Sequence, residues 1–566
     1  MKKQNILISL LAIFSLVGCN QQSGKNSDNS QNPADESKFV IENYGTVKFE
    51  AEKFNSDNWT PDSTFGGAKV IEESKASGGA YLAGGSPKSS GYCSFSFELK
   101  KDSIVTFSVA YAQTEDWLEV DFDMSKTYIY NVENVSNFTL PDSGKTLKAR
   151  SSDTSWELMT YNSETLYHGV YNVTLSIDPN TPAGCPSIDY IQFKTKDSSY
   201  VPVDPSTVTE VPDNDMRNLQ QYKYVVEEDV LKYKTYATGA DLSAPRGMKL
   251  KYDDVESGSK YYVQVAESEA GLANAAVRES SDKFYYFQNA KLDTKYFYRA
   301  ATSEAGLASA KVYNITSTAQ APRVVYVPNV LNFRDIGGWE SSLVPGAKIK
   351  QGLYFRCAQL DAAQGSTTSA LDKNGNGLAA LKELGIKCDI DMRDDYNQPN
   401  NGKGPSAANT TDWPFTFVSA PVPSGSESAR WEGGSGTWSR QTCNIAEQYV
   451  KIFNALANCD KEPALLHCTY GADRTGIATF FLEALLGMSE EDMTKDYLWT
   501  QFTQGRNVKI LESEGAEFPQ WIKKTNNCEG ATFADKMENH LMSFGIEKAK
   551  LERIREIFVP GYVAQA

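Results

Sequence analysis

The periodicity of apolar residues changes at about residue 321, and this change bounds what the chain can fold into. Before it, apolar and polar residues alternate in short runs separated by Gly, Ser, Asn and Asp, the spacing of strands joined by turns. Expected strands include Ser94–Leu99, Ile104–Tyr111, Tyr222–Val226, Lys260–Ala266, Lys283–Phe287 and Lys295–Ala301. After it, short apolar runs alternate with helical stretches such as Ile445–Leu456 and Ile477–Leu486, the pattern of an α/β domain. With 566 residues the chain must build several cores. A Pro-rich stretch from Val201 to Ser206 punctuates the β-rich part. The reading is multidomain: a β-sandwich over 40–197, a linker over 198–214, a second β-sandwich over 215–320 and an α/β domain over 321–566.

Lys2 and Lys3 precede an apolar run from Ile6 to Val17, too short to span a bilayer as a permanent helix. It ends in Leu16-Val17-Gly18-Cys19, which resembles a bacterial lipoprotein cleavage box. That resemblance implies an exported lipoprotein, periplasmic or at the cell surface, whose only tie to the membrane is a lipid on Cys19. An ordinary secretory signal with an incidental cysteine is the alternative. Residues 20–39 are mostly Gln, Ser, Asn and Asp and cannot bury enough surface to order themselves, so a flexible tether is expected. The formal net charge of −16 argues against a nucleic-acid partner. Three histidines in the whole chain leave little for a zinc site or a Ser-His-Asp triad.

Several pieces of the first sandwich resemble carbohydrate-binding modules of the family 6 and 35 type. They are Phe49–Phe54, Ser77–Leu82, Trp156, Tyr167–Tyr171 and Ile188–Phe193. The resemblance implies a jelly roll with a structural Ca²⁺ held by Glu50, Glu52 and Asp189, and a glycan partner contacted by Trp156. A core position is the alternative for any such aromatic. In the second sandwich, Leu292–Arg299 resembles the late strand of fibronectin type III domains, which implies an immunoglobulin-like spacer.

The α/β part holds the sharpest constellation. Pro463–Cys468 reads as a short buried strand that runs into a Gly-containing turn, and a helix is expected from about Thr475. Residues 468–474 satisfy Cys-x5-Arg. Peptide N–H groups of such a turn at a helix N-terminus suit a phosphate dianion, and the same field favours a thiolate at Cys468. Arg474 supplies a fork for two phosphoryl oxygens that lysine cannot reproduce, and Thr475 a hydrogen bond to sulfur. Cys and Arg alone would be a weak pattern; strand, His467, Gly471, Arg474-Thr475-Gly476 and helix together are strong. The segment His467–Gly476 resembles the H-C-x-x-G-x-D-R-T-G loop of bacterial secreted tyrosine phosphatases, protein-tyrosine and phosphoinositide enzymes alike. Asn332–Gly338, Gly352–Arg356, Asp389–Arg393 and Asp496-Tyr497 agree with it. The resemblance implies a cysteine-phosphatase fold and a phosphocysteine intermediate on Cys468, with no cofactor for catalysis. Thr469, Tyr470, Gly471, Ala472 and Thr475 would line the phosphate and Asp473 would be the general acid. Asp412, beside Trp413-Pro414, is the alternative acid.

A second motif lies at Asp372–Glu383, which fits D-x-[DN]-x-[DN]-G-x5-E. Asp372, Asn374, Asn376, the Leu378 carbonyl and Glu383 would hold Ca²⁺; a Gly/Asn turn opening a helix is the alternative. The functional expectation is a phosphomonoesterase acting on phosphotyrosine in proteins. Phosphoinositides, inositol phosphates or another small phosphomonoester are the enzymatic alternative. A glycan-binding surface lipoprotein with a non-catalytic phosphatase scaffold is the alternative of another class.

Overall fold

In a computed structural model, the described residues are the strands and a few flanking positions within 39–199. Beyond them they are 203–360, 371, 376–398, 414–503 and 517–564, apart from short gaps. No helix among them is long and apolar enough to cross a membrane. Cys19, Glu52, Trp156, Asp372, Asn374 and Asp412 lie outside the described residues, as does the side chain of Glu50.

The N-terminal region is two facing sheets. One runs Phe39–Ile41, Tyr92–Leu99, Gly169–Ser176, Tyr128–Asn131, with Thr60–Pro61 also on Tyr92–Leu99. The other runs Lys69–Glu72, Ala80–Ala83, Ser187–Asp197, Ser103–Ala112, Glu157–Leu166, with Gly45–Glu50 also on Ser187–Asp197. Alternation puts Phe97 of one sheet against Phe193 of the other, with ring centroids 4.5 Å apart, the inner layer of a sandwich.

Residues 203–320 depart from the all-strand reading. Tyr222–Val226 belongs to a helix, α1 (Leu219–Val226). Asn218 accepts from the Gln221 amide while the Gln221 side chain accepts from the Asn218 amide, so a capping box overrides a period-two run. The strands that follow form a two-stranded sheet of Met248–Lys251 and Phe284–Phe287. A four-stranded one is ordered Arg278–Ser280, Tyr261–Ala266, Lys295–Ala301, Val312–Thr316. This unit does not hang as a separate spacer: its buried residues join one apolar core with those of the α/β part. At the seam Leu292 and Gln351 exchange hydrogen bonds of 2.7 and 3.1 Å. Arg323 donates to the carbonyls of Ala290 and Asn289.

The α/β part is built on six strands: β1 (Arg323–Val324), β2 (Arg334–Asp335), β3 (Tyr354–Cys357), β4 (Cys388–Asp391), β5 (Thr416–Ser419) and β6 (Ala464–His467), in the order 1-2-3-6-4-5. The last strand in sequence, β6, lies central and parallel to both β3 and β4. Its C-terminal end is therefore walled on both sides, the usual place for a site in an open α/β sheet. Helix α2 (Asn376–Glu383) follows β3, and α3 (Ile445–Leu456) precedes β6. Helix α4 (Asp473–Leu485) follows β6 and is buried along nearly its whole circumference, as a helix between two layers must be. Helix α5 (Glu490–Trp499) and the single 3₁₀ turn Thr500–Phe502 come next.

Of the Asp372–Glu383 calcium loop, 372–375 lie outside the described residues and the remainder is helical. Such a loop must stay non-helical long enough to curl its ligands around one ion. Instead α2 begins at Asn376. At about 1.5 Å rise per residue, Asn376 and Glu383 then stand roughly 10 Å apart along the axis. Glu383 points outward to Arg278 of the middle unit, 2.5 Å away. Asn376, Leu378 and Glu383 are helix positions spread over two turns of α2. In the sandwich, Asp189 is buried at a bulge in Ser187–Asp197 and its charge is felt by Lys536 of the α/β part.

Candidate active site

The loop 468–474 leaves β6 and closes into the first turn of α4. The sequence places Gly471 where the backbone takes φ +68°, and a Cβ there would meet the Cys357 carbonyl oxygen at 2.3 Å, so only glycine fits. The loop carbonyls are turned outward and held. Gly471 O accepts from Arg356 Nη2 at 2.9 Å and from Asn332 Nδ2 at 3.1 Å. Tyr470 O accepts from Asn332 Nδ2 at 3.0 Å, and Thr469 O from the Gln359 amide at 3.1 Å. Because a peptide is planar and trans, a carbonyl turned outward turns the adjoining N–H inward. Ala472 at the N-cap contributes no side-chain cap, so the first amides of α4 add to the same inward field.

Cys468 sits at the base of this loop, almost wholly buried. Burial pushes its thiol up, but Arg474, the Thr475 hydroxyl and the Thr475 amide outweigh burial and hold it at about 7. Arg474 reaches back across the loop, with Nη2 3.1 Å from Thr469 Oγ1 and Nη1 3.4 Å from the Met392 carbonyl. Asp473 opens α4, half-buried, close enough for its charge to act on Cys468. Thus Cys468, Thr469, Tyr470, Gly471, Ala472, Asp473, Arg474 and Thr475 are brought together as one loop. Such a loop can hold a tetrahedral dianion above a thiolate.

Below the loop lies a layer of buried charge. His467 Nε2 is 3.0 Å from Asp389 and 3.8 Å from Asp391, while Nδ1 lies 3.2 Å from Cys468 O. Burial lowers its affinity for a proton, but Asp391 and Asp389 raise it further, to about 9, so the ring is imidazolium at neutral pH. Arg393 completes the layer, forking onto Asp391 at 2.7 to 3.1 Å.

On the opposite side Arg334 binds Asp496 with Nε at 2.8 Å and Nη2 at 3.1 Å, and Arg356 Nη1 adds 2.8 Å to the same carboxylate. Arg334 also grips Asn332 Oδ1 at 2.5 Å. The Asn332–Gly338 and Gly352–Arg356 pieces are therefore the outer braces of the loop. Glu483 of α4 lies beside this group, fully buried, and burial with Asp496 raises its carboxyl well above the usual range. Sequence reasoning assigned no role to Gln359, Glu483 or Thr500. A glutamate within the apolar run Ile477–Leu486 was the one available signal.

Residues 325–559 match the model of the tyrosine phosphatase family. A provisionally named tyrosine-protein phosphatase of Cupriavidus necator is 29% identical over 181 residues, covering 30% of this chain and 60% of that relative. The match thus spans less than two thirds of the relative's length. Among solved structures, a family 35 carbohydrate-binding module from Cellvibrio japonicus is similar at 12% identity and TM-score 0.20, covering 28% of this chain and 99% of the module. Another from Clostridium thermocellum is similar at 16% identity and TM-score 0.17, covering 26% and 96%. Residues 325–559, preceded by a β-sheet-rich N-terminal region, are thus similar to the tyrosine phosphatase family.

Proposed function

We propose that the chain hydrolyses phosphomonoesters with Cys468 as nucleophile, and that phosphotyrosine in proteins is its substrate. The observation that supports this most is a buried thiol held at about 7 by Arg474 and Thr475, inside a loop whose carbonyls are braced outward. The Cys468 thiolate attacks phosphorus, the P–O bond to the leaving group breaks, and Asp473 gives that oxygen its proton. Thr475 and the loop amides stabilise the sulfur, and Arg474 clasps two equatorial oxygens. Water then attacks the phosphocysteine with Asp473 as base, the P–S bond breaks, and inorganic phosphate leaves with the thiolate restored.

Ala472 puts an apolar side chain between Gly471 and Asp473. That choice favours a singly phosphorylated aryl ester over highly charged inositol phosphates, which a net charge of −16 also repels. A phosphate-release panel on the intact chain, spanning phosphotyrosyl peptides, phosphoinositides, inositol phosphates and phosphosugars, tests this. The highest kcat/KM is expected for phosphotyrosyl peptides. A higher value for an inositide would move the substrate class, and no release from any member would favour a non-catalytic scaffold.

A further inference from the structure

Helix α1 belongs to the middle unit, outside the matched phosphatase residues, yet it is one shell removed from the loop. The Tyr224 ring is wholly buried and lies 5.8 Å from the Trp499 ring and 5.7 Å from the Phe502 ring, centroid to centroid. Those two rings flank Thr500 in the turn after α5. Thr500 Oγ1 is 3.3 Å from Arg334 Nη2 and 3.5 Å from Asn332 Nδ2. Asn332 Nδ2 in turn holds the Tyr470 and Gly471 carbonyls. A second tie runs alongside: Lys495 Nζ of α5 donates to the Val225 carbonyl at 2.9 Å, and α5 carries Asp496. Tyr224, Trp499, Phe502, Thr500, Arg334 and Asn332 are all buried, so displacement at one end of the path has little room to dissipate.

We propose that the middle unit is a positioning element for catalysis, in which Tyr224 sets the Trp499–Phe502 turn and through it the carbonyl braces of the 468–474 loop. The proposal rests on the phosphatase reading for its consequence on turnover, but its geometric content concerns the thiolate alone. If the braces slip, the loop amides turn away from Cys468 and the thiolate loses part of its stabilisation. A displacement of this order in an active site costs about tenfold to a hundredfold in rate.

The test uses the full chain and two readouts, phosphate release and the pH dependence of iodoacetate alkylation of Cys468. Tyr224→Ala should lower kcat by about ten- to a hundredfold with little change in KM, and should move the alkylation midpoint upward from about 7. Tyr224→Phe, which keeps the ring and loses the hydroxyl bond to the Val230 carbonyl, should behave as wild type in both. Leu250→Ala, a buried change in the sheet Met248–Lys251, should lower the melting temperature but leave the alkylation profile alone. If Tyr224→Ala does not fold, Lys495→Met probes the same path and should shift the midpoint in the same direction. An unmoved midpoint in the folded variant, or an equal shift in Leu250→Ala, would overturn the proposal. Wild-type protein that alkylates near pH 7 but releases no phosphate would instead sink the phosphatase reading and leave this comparison decisive.

Discussion

Cys468→Ser is expected to leave a folded protein with no measurable turnover, because an alcohol is barely ionised at a pH where this thiol is half thiolate. Arg474→Lys should retain binding of a phosphate but lose roughly 100- to 1,000-fold in kcat, the cost of removing a fixed donor from developing charge. The pH dependence follows the same group. Burial raises the Cys468 thiol while Arg474 and Thr475 bring it down to about 7, so the acid limb of kcat/KM should rise with pH and level off above 7. Steady-state assays with a phosphotyrosyl peptide across pH, paired with circular dichroism of each variant, check this. Turnover by Cys468→Ser above background would remove the covalent mechanism.

The second large effect concerns Asp496. Its carboxylate is the shared acceptor of Arg334 and Arg356, and all three are fully buried. Asp496→Ala would leave two guanidinium groups without their counter-charge in a low-dielectric interior, a change that costs on the order of 3–5 kcal/mol. For a domain of this size that corresponds to a fall in melting temperature of roughly 10 °C. Glu483 gives the contrast. Its carboxyl is raised well above the usual range by burial and by Asp496, and Glu483→Gln, which keeps the shape and the hydrogen-bonding capacity, should cost less than about 1 kcal/mol. Calorimetry of the full chain decides between them. Equal, small losses in both variants would mean that the arginines find other partners and that the charge layer is not what fixes the loop.

These two groups of residues differ in how visible they were before the structure. Cys468, Gly471 and Arg474 announce themselves because strand, turn and helix N-terminus follow one another in sequence, and Ile445–Leu456 formed at the bounds its periodicity gave. Arg334, Arg356 and Asp496 stood in pieces that agreed with the resemblance but had no assigned role, since the burial that gives them one comes from strands and a helix 140 to 162 positions apart. Tyr222–Val226 read as a strand because its apolar residues alternate; the Asn218 and Gln221 capping box, also in the sequence, was the stronger local signal. The Asp372–Glu383 spacing satisfied every letter of a calcium motif. A motif cannot state where a helix begins, and α2 begins inside this one. The seam between the middle unit and the α/β part was invisible for a related reason: Tyr224 and Trp499 are far apart in sequence, and nothing local to either marks the contact.

Trapping the covalent intermediate tests the central claim most directly. Mixing the full chain with a phosphotyrosyl peptide and quenching with denaturant at alkaline pH should preserve the S-phosphocysteine. Peptide mass spectrometry should then find one added phosphoryl group on the fragment containing Cys468, absent from Cys468→Ser. Phosphate release at full rate with that fragment unmodified, or with the phosphoryl group on another residue, would contradict the account.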